Sequence, residues 1–152
     1  MPEELVISDA SPIIALVDIG KLELLQKLYQ RVVITDIVRS EVQADLPEWI
    51  EVSNEYDQKQ FQILQLELDP GEASAIALAL ANPESRIILD ESKGRSVAKR
   101  LGLKVTGTIG IIVKAKEEGI IISGKEILEK LEQQGFWFSE SLKSSILSRL
   151  RE

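Results

Sequence analysis

The order of hydrophobic segments predicts a three-layer α/β/α sandwich built on a central, mainly parallel sheet. Two observations carry this expectation. Residues 5–7, 32–34 and 87–89 are short, continuous apolar runs without polar alternation, as in strands covered on both faces. Between them lie stretches with helical apolar spacing, and strands alternating with helices imply right-handed crossovers that place helices on both sides of a parallel sheet. The 152 residues suit one domain spanning 1–152.

The elements follow in order. Leu5-Val6-Ile7 forms the first strand and stops at Ser8-Asp9. Ser11 can cap the next helix with Pro12 at its first position; that helix covers 12–18 and breaks at Gly20. Leu22, Leu25 and Leu28 mark a second helix. Residues 31–34 give a strand, Thr35 reads as an N-cap, and a helix follows to about Val42. Residues 49–52 form a weak strand, and 57–68 a helix through Phe61, Leu64 and Leu68. Asp69-Pro70 starts another helix, whose alanine-rich body, 73–81, is apolar enough to be buried; Asn82-Pro83 ends it. The strand 87–89 stops at Asp90, a basic helix covers 91–101 before Gly102, and 104–106 is a short strand. Thr108 opens a helix to Glu118. Ser123 and Glu126 form a capping box for helix 124–134. Phe136 and Phe138, flanking Trp137, read as a short edge strand, and Leu142, Ile146 and Leu150 mark the last helix.

Composition limits the chemistry. The chain has no cysteine and no histidine. Disulfides, thiolate metal sites, imidazole-ligated zinc and catalysis by a Ser-His-Asp or Cys-His set are therefore excluded. A metal would need oxygen ligands, which favours magnesium, manganese or calcium. Glu3 and Glu4 replace the basic region of a signal peptide, and no apolar run approaches the ~20 residues that span a bilayer. The expectation is a soluble cytoplasmic protein without a membrane role. The net charge of −7 opposes broad attraction to nucleic acid, although local basic patches and bound cations can reverse the field at a site.

Four acids stand in unusual places. Ligand sites of parallel sheets lie beyond the carboxyl ends of the strands. Asp9 and Asp90 both end strands there, and adjacent strands would bring them to one crevice. Glu41 extends the stripe Ile34, Ile37, Val38 and Val42, while Glu72 begins the stripe Ala75, Ile76 and Leu80. A carboxylate on a buried face is costly unless it is paired or holds a cation. Converging carboxylates without histidine suit phosphodiester hydrolysis supported by Mg²⁺ or Mn²⁺. Each acid also has a structural explanation. Asp9 and Asp90 can cap helices, Glu72 can complete a capping interaction, and Glu41 can pair with Arg39, Arg31 or Lys27. Asp36, Asp69 and Glu91 read as caps or first-turn acids.

Lys93, Arg95, Lys99, Arg100 and Lys104 form the densest basic stretch. It reads either as a solvated helix face or as a phosphate-contact strip beside the acids. Ser11, Thr106 and Thr108 add hydroxyls able to orient water or phosphate.

These stretches resemble the PIN-domain ribonucleases, the fold of the VapC-type toxins. The resemblance rests on SDASPIIAL at 8–16, VVITDIVRSEV at 32–42, DPGEASAIALAL at 69–80, IILDESKGRSVAKRLGL at 87–103 and VTGTIG at 105–110, in the family's order. It implies a Mg²⁺- or Mn²⁺-dependent endoribonuclease whose acid set, catalytic and metal-binding, falls on Asp9, Glu41, Glu72 and Asp90; the basic and hydroxyl residues read above, Ser11, Lys93, Arg95, Lys99, Arg100 and Thr108, would then contact the RNA. Glu72 stands where the family usually has Asp. Toxin-like members work as homodimers with an antitoxin protein. The alternative is a PIN-like module that binds RNA or protein without cutting. A response-regulator receiver would need an acidic pair after the first strand, a haloacid-dehalogenase phosphatase a D-x-D there, and a dinucleotide site a G-x-G-x-x-G; none is present.

Overall fold

The computed structural model describes residues 3–152. Among these, β1 (Glu3–Ser8), β2 (Tyr29–Thr35), β3 (Ile50–Ser53), β4 (Arg86–Ile88) and β5 (Lys104–Thr106) make one five-stranded sheet in the order β3-β2-β1-β4-β5. Every pairing is parallel; Ile7 stands between Val33 of β2 and Ile87 of β4. The continuous apolar runs are thus strands buried on both faces, as the sequence predicts.

The helices are α1 (Ala10–Asp18), α2 (Glu23–Leu28), α3 (Asp36–Glu41), α4 (Gln58–Leu64), α5 (Pro70–Ala81), α6 (Ser92–Arg100), α7 (Thr108–Glu117), α8 (Gly124–Gln133) and α9 (Glu140–Leu150). They make two layers with separate cores. Val6, Val32, Ile34 and Ile88 face Ile13 and Leu16 of α1, Leu25 of α2, Ile112 of α7 and Leu128 of α8. Leu5, Ile7, Val33, Ile87 and Leu89 face Ile76 of α5 and Val97 of α6. Successive strand residues point to opposite faces, so β1 serves both cores. The three-layer architecture is the one expected. Among the described residues no helix is long and apolar enough to cross a membrane.

Local expectations are corrected at three places. Helix α1 starts at Ala10 with Asp9, not Ser11, at its N-cap, and Ser11 lies exposed in the first turn. Helix α3 starts after Thr35, the expected N-cap, whose side chain accepts from Val38 N; Ile34 belongs to β2, however, so the stripe drawn through it is not one helix face, and Glu41 is exposed. Residues 136–138 form no strand. Phe136 and Phe138 are half-buried with ring centroids 6.2 Å apart, packed on the core of the α1, α2, α7 and α8 layer. They lie against helices, away from a sheet edge.

The strand order reverses between β1 and β4: the chain builds outward through β2 and β3, then returns to add β4 and β5 on the other side of β1. This switch opens a crevice at the carboxyl ends of the central strands, where Asp9 N donates to Ile88 O at 3.1 Å.

Candidate active site

Asp9 follows β1 directly and is buried, with 6% of its surface exposed. Its backbone is extended and its side chain makes no capping hydrogen bond, so helix capping does not account for it. Burial raises its pKa to about 7, assisted by repulsion from Asp69, Glu41 and Glu91 and partly offset by the Ala10 N–H.

Glu72 lies in the first turn of α5 and is 4% exposed. Its position depends on Asp69, the N-cap of α5, which accepts from Glu72 N at 2.9 Å. The alanines of α5 let the helix pack closely, and Gly71 through Ala79 are buried. The Glu72 carboxylate presses on Gly94 in the first turn of α6, and its Oε2 has no hydrogen-bond partner. Burial raises its pKa, followed by contact with Asp69 and repulsion from Asp69, Asp9 and Glu91. A full capping box is therefore not formed: Asp69 caps, while Glu72 turns into the crevice.

Glu41 ends α3 and is exposed, a correction to the buried position expected. Its carboxylate lies over Gly71, and burial followed by repulsion from Asp69 raises its pKa. A buried hydroxyl pair ties its helix to α5: Thr35 Oγ1 and Ser74 Oγ are 2.7 Å apart, and Ser74 Oγ donates to Gly71 O at 2.9 Å. Ion pairing does not neutralise Glu41. Among the described residues, Arg31 pairs with Glu51, and neither Arg39 nor Lys27 bridges to Glu41; Arg39 donates to Val42 O.

Asp90 behaves differently. It follows Leu89, beyond β4, but both of its carboxylate oxygens accept from Thr108: N to Oδ1 at 2.8 Å and Oγ1 to Oδ2 at 2.6 Å. It thus anchors the start of α7, the helix after β5, rather than capping the helix that follows it. Thr108 is fully buried, which withdraws its hydroxyl from the phosphate contact expected of it.

Asp9, Glu41 and Glu72 are therefore brought into one electrostatic neighbourhood. Two acids that the sequence reading set aside as caps, Asp69 and Glu91, belong to it as well. The available signal was position: Asp69 opens the helix carrying Glu72, and Glu91 adjoins Asp90. Among the described residues no three acids are drawn into a ready-made ligand cage, as expected of like charges that repel one another. The donors nevertheless fit a divalent ion. They are all hard carboxylate oxygens, their charges are opposed by burial and by one another, and a buried Glu72 oxygen has no partner.

The basic stretch lies on α6. Lys93, Lys99 and Arg100 are exposed, as is Lys104 on β5; Arg95 is half-buried and donates to Leu89 O at 2.7 Å. Arg95, Lys99 and Arg100 line an open groove with Ser92 and Ser96, and α6 starts at the acidic crevice.

A family model described as PIN domain matches residues 5–152. The search of curated proteins and the search of solved structures returned no match.

Proposed function

The chain belongs to the PIN-domain family, whose fold is of the nuclease type, and on that premise we propose that it is a Mg²⁺- or Mn²⁺-dependent endoribonuclease. The observation that carries this reading is the set of buried, mutually repelling carboxylates at the β1/β4 switch point, with one Glu72 oxygen unpartnered. Asp9, Glu41 and Glu72 would hold the cation together with an acid from the connection between β4 and α6. A hard divalent cation there supplies charge neutralisation at the scissile phosphate and activation of water. Asp69 orients Glu72 by fixing the first turn of α5. The Thr35–Ser74 pair holds α3 against α5, and hence Glu41 beside Gly71. Lys93, Arg95, Lys99 and Arg100, with Ser11 at the start of α1, would take the RNA backbone, since such contacts position a strand without reading its sequence.

Membership also supports pairing with an antitoxin protein and action as a homodimer, as in the toxin branch. Ile63, Leu66 and Trp137 provide exposed apolar surface for such contacts.

The test is cleavage of a mixed RNA pool with Mn²⁺ or Mg²⁺, with and without chelator. Cleavage is expected only with metal, reduced by at least about 10²-fold in Asp9→Asn and weakened by added salt. Equal cleavage by Asp9→Asn would refute the proposal. The acidic net charge of −7 and Glu72 at the position where the family usually has Asp favour a second reading, an RNA- or protein-binding module. That reading predicts RNA binding indifferent to chelator and no cleavage with either ion.

A further inference from the structure

The connection after β4 carries two consecutive acids, Asp90 and Glu91, whose surroundings differ. Asp90 is engaged at both oxygens by one residue, Thr108. A Cβ at Gly107 would stand 2.9 Å from Asp90 Oδ1 and 2.8 Å from Arg95 Nη1. Asp90 is thus packed among the start of α7, Gly107 and the Arg95 side chain that spans back to Leu89 O. Glu91 occupies the N-cap position of α6, yet its side chain caps nothing and is exposed. The first turn of α6 is also where Glu72 rests on Gly94, with its buried Oε2 unpartnered.

We infer that the two acids divide the work: Glu91 is the ligand that the β4–α6 connection contributes to the divalent cation, and Asp90 is a positioning residue that clamps α7 and the floor of the crevice. This rests on the metal-dependent reading above and deepens it. Asp90 would have to give up two short hydrogen bonds to reorient, and would leave the first N–H of α7 and a buried hydroxyl unsatisfied. Glu91 has no such bond to lose, and its longer side chain reaches further from the backbone. The charge of Glu91 is felt by both Asp9 and Glu72, which is consistent with a shared pocket.

The experiment is Mn²⁺ titration by calorimetry, with thermal unfolding of the metal-free chain, on wild type, Glu91→Gln, Asp90→Asn and Thr108→Val. Glu91→Gln is expected to weaken Mn²⁺ binding by about tenfold or more while the metal-free chain melts at the same temperature or higher. Asp90→Asn and Thr108→Val are expected to lower the melting temperature and keep Mn²⁺ affinity within about threefold. Thr108→Val removes the hydroxyl half of the clamp and frees Asp90 Oδ2, while the backbone N–H stays on Oδ1; neither acid is touched, so the inference stays testable if Asp90→Asn fails to fold. Wild-type affinity in Glu91→Gln overturns the assignment, as does tighter Mn²⁺ binding in Thr108→Val, which would mean that a released Asp90 ligates. Either result leaves the metal-dependent reading standing. A wild-type chain that binds no Mn²⁺ removes both.

Discussion

At the scale of single residues, the acids of the crevice oppose the stability of the metal-free chain. Asp9 holds its proton up to about pH 7 in the folded state, against an ordinary value of 3.8. Between these values the folded chain binds more protons than the unfolded one, so this contribution to stability is present at low pH and lost as pH rises toward and past 7. Glu72 and Glu41 are shifted in the same direction. Asp9→Asn should therefore stabilise the metal-free protein at pH 8 by about 1–3 kcal/mol and leave it nearly unchanged at pH 4; urea denaturation at the two pH values measures this. The same residues make two glycines unequal. A Cβ at Gly94 would collide with the buried Glu72 carboxylate, and one at Gly71 with the exposed carboxylate of Glu41. Gly94→Ala should cost about 1–3 kcal/mol and weaken Mn²⁺ binding, whereas Gly71→Ala should cost less because Glu41 can swing into solvent. Equal losses in chemical denaturation would contradict that ranking. Asp9 and Glu72 were legible because a carboxylate closing a buried strand, or opening an alanine-rich buried helix, is out of place. Asp69 and Glu91 were not, since an acid at a helix start has an adequate local explanation.

At the scale of elements, short helices depend on their caps. Helix α3 has six residues, too few to be stable alone. Thr35 supplies both its N-cap and the buried hydrogen bond to Ser74. Thr35→Val keeps the shape but removes both bonds, and should cost about 1–2 kcal/mol; metal affinity should fall with it, because Glu41 rides at the far end of this helix. A thermal shift with no change in Mn²⁺ titration would separate the cap from the site. Helix α5 was readable to its boundaries because Asp69, Pro70 and Asn82-Pro83 mark its ends and alanine fills its body. Helix α3 was readable at its start, where Thr35 caps it as expected; the stripe drawn through Glu41 was not a helix face, because its apolar spacing begins in β2 and periodicity alone does not mark where strand becomes helix. Phe136 and Phe138 alternate as strand residues do, yet the Phe136 N–H donates to Leu131 O of α8 at 3.0 Å and both rings pack against the helix-covered core. Their backbone therefore closes the end of α8 and pairs with no strand.

At the scale of the whole molecule, one surface carboxylate fastens three helices. Glu152 accepts from Lys116 of α7 at 2.9 Å, from the backbone N–H of Gly124 at 2.8 Å and from the hydroxyl of Ser123, the N-cap of α8. It lies two residues beyond α9. The Lys116 ammonium lowers its pKa to about 2, joined by the Gly124 N–H, the Ser123 hydroxyl and the Lys125 N–H and opposed by desolvation. Its folded value lies below the ordinary 4.5, so its contribution is present above about that pH and lost as pH falls toward 2. Glu152→Gln should lower the melting temperature at pH 7, with a difference that shrinks as the pH is taken down. A constant difference across that range would show that the carboxylate charge is not what matters.

The alternation of buried runs and helices determined the sandwich and its parallel sheet from residue order alone, because burial on both faces removes polar residues from a strand regardless of what it neighbours. The types of residue present likewise limited the chemistry to oxygen donors. What tertiary structure decided was proximity. The strand order 3-2-1-4-5 places β4 beside β1, and this brings Asp9 into reach of acids that are remote in the chain. It also decided occupancy: Asp90 and Thr108, eighteen residues apart, bind each other, while Glu91 next door remains uncommitted. A hydrogen bond between distant residues is formed only when the fold has been chosen, so no local pattern can announce it.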